Sequence, residues 1–358
     1  MEVTFYRAEC GDAARIYFKG TDHKNHNIFI DSGFKRTFRS ALENDIKEIQ
    51  NNGESIDSWI ISHIHEDHIG GVLAYLKSVS NGEYNNLIEA VFYNLPRRYL
   101  ESNDISELSS VASINHGDQL ESYLTNSNIK WYDNIVNTSN DIELFGLKII
   151  FLSPTQKQLD SLREKYISIL TPYERQESEM ISSTVSREQI DYHILVDGFD
   201  LKTWKEDNST ENASSISFIS EYEGINILWL ADSVPSAITE SLRKKGYSRV
   251  NPLICEWVKL SHHGSVGNNS VELFEMVCCK KFLISANGEN KHLLPNKECL
   301  VRILRHENRN MRDHIELHFT YDNPTLRNIF CVDGKDIYDK LNFSTHFMTD
   351  NTSFLVKE

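Results

Sequence analysis

The sequence predicts an α/β fold in which chemistry-bearing loops follow buried strands, and three stretches point to it. Trp59 to Ile61 is an apolar run that enters Ser62-His63-Ile64-His65-Glu66-Asp67-His68. Two glycines and the apolar segment Val72 to Leu76 follow, which reads as strand, loop, helix. Ile225 to Leu230 is a second run, ending in Ala231-Asp232-Ser233. Trp257 to Leu260 is a third, ending in Ser261-His262-His263-Gly264-Ser265.

The spacing of the first stretch has a mechanical reading. Alternate side chains of a near-extended chain share a face, so His63 and His65 can reach one cation together. A turn at Glu66 would send Asp67 and His68 elsewhere, toward a second cation. Imidazole and carboxylate suit zinc, and also manganese or iron.

Taken in order, Val3 to Tyr6 reads as an edge strand, Arg15 to Phe18 as a second strand and Asn27 to Ile30 as a third, ending in Asp31-Ser32-Gly33. Ser40 to Gln50 has Leu42, Ile46 and Ile49 on one face and predicts a helix. Leu87 to Tyr93 is apolar, Ser106 to Ile114 helical, and Leu144 to Leu152 a strand closed by Ser153-Pro154. Residues 155 to about 211 are polar and predict an insertion, part helix (Gln156 to Lys165) and part mobile loop, with Lys202 to Asn212 having almost nothing to bury. His193, in Tyr192 to Val196, reads as a strand residue. Ile216 to Ser220 and Ile225 to Leu230 read as paired strands, and Lys281 to Ser285 as another, followed by His292 and Pro295.

At 358 residues the chain is read as a single domain over 1–358, with the insertion and a less patterned tail after about 320. Hydrophobic content of 40% is ample for a core. Lys+Arg 37 against Asp+Glu 52 gives a net charge of −15, which argues against non-specific polyanion binding through basic surface. Bound divalent cations would reverse the field locally and keep a nucleic-acid substrate open. The six cysteines show no CxxC spacing, so reduced thiols in a cytoplasmic protein are expected rather than a disulfide framework. Met1 to Tyr6 is too mixed for a signal peptide, and no run reaches the roughly 18 apolar residues of a membrane span.

His-x-His-x-Asp-His at 63–68 resembles the signature of the metallo-β-lactamase superfamily. That resemblance implies a four-layer αββα sandwich with metals at one edge. It also implies that Asp232 bridges two metals, here preceded by Ala231 where the superfamily usually has glycine. Asp31 would support the ligand loop from behind, as would Asp12. Gly11-Asp12-Ala13, Ser-His-His-Gly-Ser at 261–265 and His-x-x-Pro at 292–295 resemble one branch of the superfamily. The branch includes the hydrolase domain of the bacterial competence DNA-uptake channel, the choline-binding phosphorylcholine esterase, and free-standing proteins found beside ATPases in anti-phage defence systems. In this chain Leu293 and Leu294 separate His292 from Pro295, where the branch often has His-Pro adjacent. The superfamily's usual histidine before the bridging aspartate is absent, with Asn212-Ala213-Ser214-Ser215 in its place, so His262 or His263 is expected to supply the missing ligand.

The expected arrangement puts the first metal on His63, His65 and His263 and the second on Asp67, His68 and His292, with Asp232 between them. Two divalent cations are expected, zinc by default and manganese as the other choice. A shared hydroxide would be the nucleophile, with Asp67 and His262 serving the catalytic step and His262 contacting substrate. The expected reaction is phosphodiester hydrolysis, on nucleic acid presented by a partner such as an ATPase or on a small molecule. The other readings are a carbonyl hydrolase acting on a lactam, lactone or thioester, and a partner-binding subunit with a structural metal centre.

Overall fold

The computed structural model describes residues 1–96, 112–168, 190–290 and 292–356. Most of the helix expected over Ser106 to Ile114 lies outside them; a helix Ala112–Asn126 is described. The strands are β1 (Glu2–Phe5), β2 (Ala13–Lys19), β3 (Asn25–Asp31), β4 (Ser58–Ile60), β5 (Ala90–Phe92), β6 (Lys130–Tyr132), β7 (Ile142–Leu144), β8 (Leu147–Ser153), β9 (Ser217–Tyr222), β10 (Ile225–Trp229), β11 (Leu253–Ile254), β12 (Trp257–Lys259), β13 (Val277–Cys278), β14 (Lys281–Ile284), β15 (Ile315–Phe319), β16 (Phe343–Phe347) and β17 (Thr352–Leu355). One sheet runs β17-β1-β2-β3-β4-β5-β6 and the other β16-β15-β14-β12-β10-β9-β8-β7. A small third sheet pairs β11 with β13.

Side-chain alternation makes four layers of these two sheets. Ile28, Trp257 and Leu283 point into the core between the sheets, with Phe5, Phe218 and Trp229. Their chain neighbours point the other way. Phe29 packs outward against Ile69 and Leu73 of the helix Glu66–Ser80, in the first outer core. Val258 and Phe282 pack outward with Leu300 and Ile303 of the helix Lys297–Arg305, in the second. The helix Glu66–Ser80 buries Ile69, Val72, Leu73 and Leu76, the spacing of a single helical face. The expected αββα sandwich is the observed fold.

Several elements differ from expectation. β1 is not an edge strand, because β17 pairs with it antiparallel. The tail after 320 supplies β16 and β17, the outer strands of both sheets. Of the strand expected over 144–152, the part from Leu147 forms β8, while Leu144 ends β7 and Phe145-Gly146 turn between the two. In the polar insertion, the helix Gln156–Ser168 delivers Leu159, Leu162 and Tyr166 to the core under the first sheet, and residues 169–189 lie outside those described. His193 is the exposed last residue of a one-turn 3-10 helix, Asp191–His193, and its Nδ1–H donates to the Ile190 carbonyl at 3.0 Å. Among the described residues the cysteines form no disulfide, and no helix is long and apolar enough to cross a membrane.

Candidate metal centre

The loops after β3, β4, β10, β12 and β14 meet at one edge of the sandwich. After β4 the chain bends at Ile64 and His65, His65 itself keeps extended dihedrals (φ −67°, ψ 144°), and the helix Glu66–Ser80 begins at the next residue. Asp67 and His68 thus stand in its first turn, where the helix N-terminus favours the Asp67 carboxylate. The helix start is packed tightly on the loop after β3: a Cβ on Gly71 would run into the Ser32 carbonyl.

Asp31 ties this loop down from behind. It accepts from Ser62 N–H at 2.7 Å, Ser62 Oγ–H at 2.8 Å and His68 Nδ1–H at 2.8 Å. Three other histidines are anchored in the same manner. His63 Nδ1 lies 3.1 Å from Ser62 Oγ, His262 Nδ1 2.9 Å from Asn268 Oδ1, and His263 Nδ1 3.0 Å from the Ser285 carbonyl. With Nδ1–H donated outward, the Nε2 of each ring faces the centre. There the buried Asp232 presents its two oxygens. Oδ2 is 3.8 Å from His63 Nε2 and 3.8 Å from His262 Nε2. Oδ1 is 3.3 Å from His68 Nε2 and 3.7 Å from His263 Nε2. Asp67 Oδ2 adds to the second group, 3.4 Å from His263 Nε2, and His65 Nδ1 to the first, 3.0 Å from His63 Nε2.

This placement departs from the expected one at three residues. His263 stands with Asp67 and His68, and His262 with His63. The expectation took the pair to alternate along an extended strand. Instead both adopt left-handed backbone (φ 45° and 55°), and their rings part around Asp232. His292 is not brought into the cluster. It lines a cavity of about 30 Å³ beside His262, together with Lys205, Asp207 and Asn268.

Four supporting residues escaped the sequence reading. Lys259 is buried in β12 and pairs with Asp12, whose Oδ1 lies 3.3 Å from His263 Nδ1. A lone lysine in an apolar strand was its signal. Asp207 accepts from Asn212 Nδ2 at 2.6 Å and Asn268 Nδ2 at 3.1 Å, and its Oδ2 lies 3.6 Å from His262 Nδ1. Asn268 links this group to the Asp232 carbonyl at 3.0 Å. Ser285 carries the His263 anchor. The polar composition of 202–212 hid Asp207, because its partners are other polar groups.

The charges describe a cation site. Burial lowers His63 and His65 below the ordinary histidine range. Burial opposes charge on His68 too, but Asp232, Asp31 and Asp67 outweigh it and hold His68 well above that range. His263 is pushed up to about 9 against its own burial by Asp232 and Asp12. Asp232 is held well below the carboxylate range, despite burial, by His68, His262 and His263. His68 Nε2, His263 Nε2 and Asp232 Oδ1 are buried and, among the described residues, have no partner of hydrogen-bond geometry. Orphaned buried nitrogens and oxygens converging on common points are what divalent cations satisfy. The donor set fits.

Residues 17–159 match the family model of the metallo-beta-lactamase superfamily. Similar solved structures include the metallo-beta-lactamase fold protein YhfI from Bacillus subtilis, 10% identical, covering 99% of this chain and 98% of that one, with a TM-score of 0.42. Zn(2+)-bound PqqB from Methylobacterium extorquens is 8% identical, with 99% and 100% covered and a TM-score of 0.44. Unliganded yeast PDE1 is 11% identical, with 99% of each chain covered and a TM-score of 0.46. No curated protein sequence matches the chain.

Proposed function

We propose that the chain is a metal-dependent hydrolase with a dinuclear centre, acting on phosphodiesters. The observation that carries this reading is the two-sided Asp232, with histidines on each carboxylate oxygen. One cation would take His63, His65, His262 and Asp232 Oδ2; the other would take Asp67, His68, His263 and Asp232 Oδ1. Bound cations there lower the pKa of water toward neutrality and stabilise charge developing on a substrate oxygen, and paired cations suit in-line displacement at phosphorus.

The chain supplies the rest. Asp31, Asn268 and the Ser285 carbonyl fix the tautomers and ring orientations. His262 passes from the expected substrate contact to a metal-holding role. Substrate contact then falls to Lys205 and His292, which line the cavity next to it. Lys205 carries a cation suited to a non-bridging phosphate oxygen, and His292 is the group placed to give a proton to the leaving oxygen.

The test is metal analysis of protein purified without chelator, with a screen on DNA, RNA, bis-p-nitrophenyl phosphate and nitrocefin. Close to two divalent metals per chain, and hydrolysis of a phosphodiester but not of nitrocefin, is the expected result. Turnover of nitrocefin alone would turn the assignment to a carbonyl hydrolase. A chain that neither carries nor takes up zinc or manganese would remove the centre altogether.

A further inference from the structure

A second group of ligand-type side chains lies at the far edge of the eight-stranded sheet. β15 and β16 run parallel in the register Glu316↔Ser344 and His318↔His346. The neighbours Ile315, Leu317 and Phe319 belong to the outer core, so Glu316, His318, Ser344 and His346 share the opposite face. That face looks toward the other sheet, where Phe354 of β17 packs edge-on to His318 at 5.6 Å.

The geometry there converges. His318 Nε2 is 3.0 Å and His346 Nε2 3.8 Å from the same oxygen, Glu316 Oε2. The two imidazoles stack at 4.5 Å with planes 13° apart. Ser344 Oγ lies 2.8 Å from His346 Nε2, and His314 Nε2 2.9 Å from Ser344 Oγ. The nearest cation by register, Lys281, is engaged with Glu256 at 2.6 Å. A tetrahedral cation with metal–nitrogen distances of about 2.0–2.1 Å sets its ligands roughly 3.3 Å apart, which lies between the two observed separations. The burial is graded: His318 is 7% exposed, Glu316 32% and His346 47%, so a cation can enter from solvent and meet a fixed inner ligand.

We propose that Glu316, His318 and His346 form a separate binding site for a borderline transition-metal cation of the zinc, cobalt, nickel or copper kind. Two strands and both imidazoles would be joined through it, with the solvent side left to water. Its place is structural: it clips the edge strand β16 to β15, beside the β17 strand of the other sheet, away from the proposed hydrolytic centre.

The experiment counts metal in the full chain equilibrated with zinc, and separately with nickel, in wild type and in His346→Ala and Glu316→Gln. His346 and Glu316 are the more exposed members, so both variants should fold. The expected result is one equivalent fewer per chain in each variant, with hydrolysis unchanged, and amide exchange in 315–319 and 343–347 slowed by metal in wild type only. Equal metal content in wild type and both variants overturns the proposal. The difference between wild type and variant does not depend on how many cations the Asp232 centre takes, so failure of one site is distinguishable from failure of the other.

Discussion

At the scale of single residues, the centre depends on which atom each side chain presents. Asp232 has two histidine Nε2 atoms near each of its oxygens. Asp232→Ala is therefore expected to lower occupancy at both positions and abolish turnover, measured by metal content and by hydrolysis on the substrate the screen finds. Asp31→Asn leaves every direct ligand in place but loosens His68, and metal affinity should fall about 10–100-fold. The His262/His263 pair can be assigned by combination. His63→Ala with His262→Ala should keep one cation, because both changes strike the same side. His63→Ala with His263→Ala should keep none. The reverse pattern of metal contents would restore the assignment expected from strand alternation. The ligand loop at 63–68 was legible in the sequence because its ligands are close in the chain. The split of His262 from His263 was not, because it follows from two consecutive left-handed residues that the sequence does not mark.

At the scale of elements, the segment taken as an insertion does two kinds of work. Its helix Gln156–Ser168 buries Leu159, Leu162 and Tyr166 under the first sheet. Its far end places Asp207 behind His262 and Asn212 behind Asp207. The hydrophobic count is low because the helix contributes one narrow face and the stretch after residue 190 only a few core residues, Tyr192, Val196 and Phe199, while side-chain amides and carboxylates hold the part around Asp207. Leu162→Ala should cost about 2–5 kcal/mol of stability, as deletion from a filled core does. A change within error in a urea melt would mean the helix is only laid on the surface. The ends of β3, β4, β10, β12 and β14 are legible, since each of these apolar runs stops where a ligand or turn residue begins. Pairing partners were not, because β1–β17 joins residues about 350 positions apart and nothing local announces it.

At the scale of the whole molecule, stability should depend on pH at a place remote from the centre. His306, after the helix Lys297–Arg305, is lowered to about 4 by burial and by the nearby Arg309. Its ordinary value is 6.5, so below that the unfolded chain takes up a proton that the folded chain refuses. Stability should be intact above about pH 6.5 and fall as pH drops toward 4, by at most on the order of 3 kcal/mol. His306→Gln should flatten that part of the profile, measured by denaturant unfolding as the difference between wild type and variant at each pH, so that titration of the histidines at the centre, common to both, cancels. An unchanged slope would assign the acid sensitivity elsewhere.

The pairing of β17 with β1 also sets an order of events during synthesis. β1 is made first, and the strand that covers its open edge only after residue 352. At about 5–20 residues per second, that edge waits on the order of tens of seconds on the ribosome. An exposed strand edge is a template for pairing with other chains. The nascent first half should therefore be the species that chaperones meet, and truncations that stop short of β17 should aggregate even when every residue of the Asp232 centre is present.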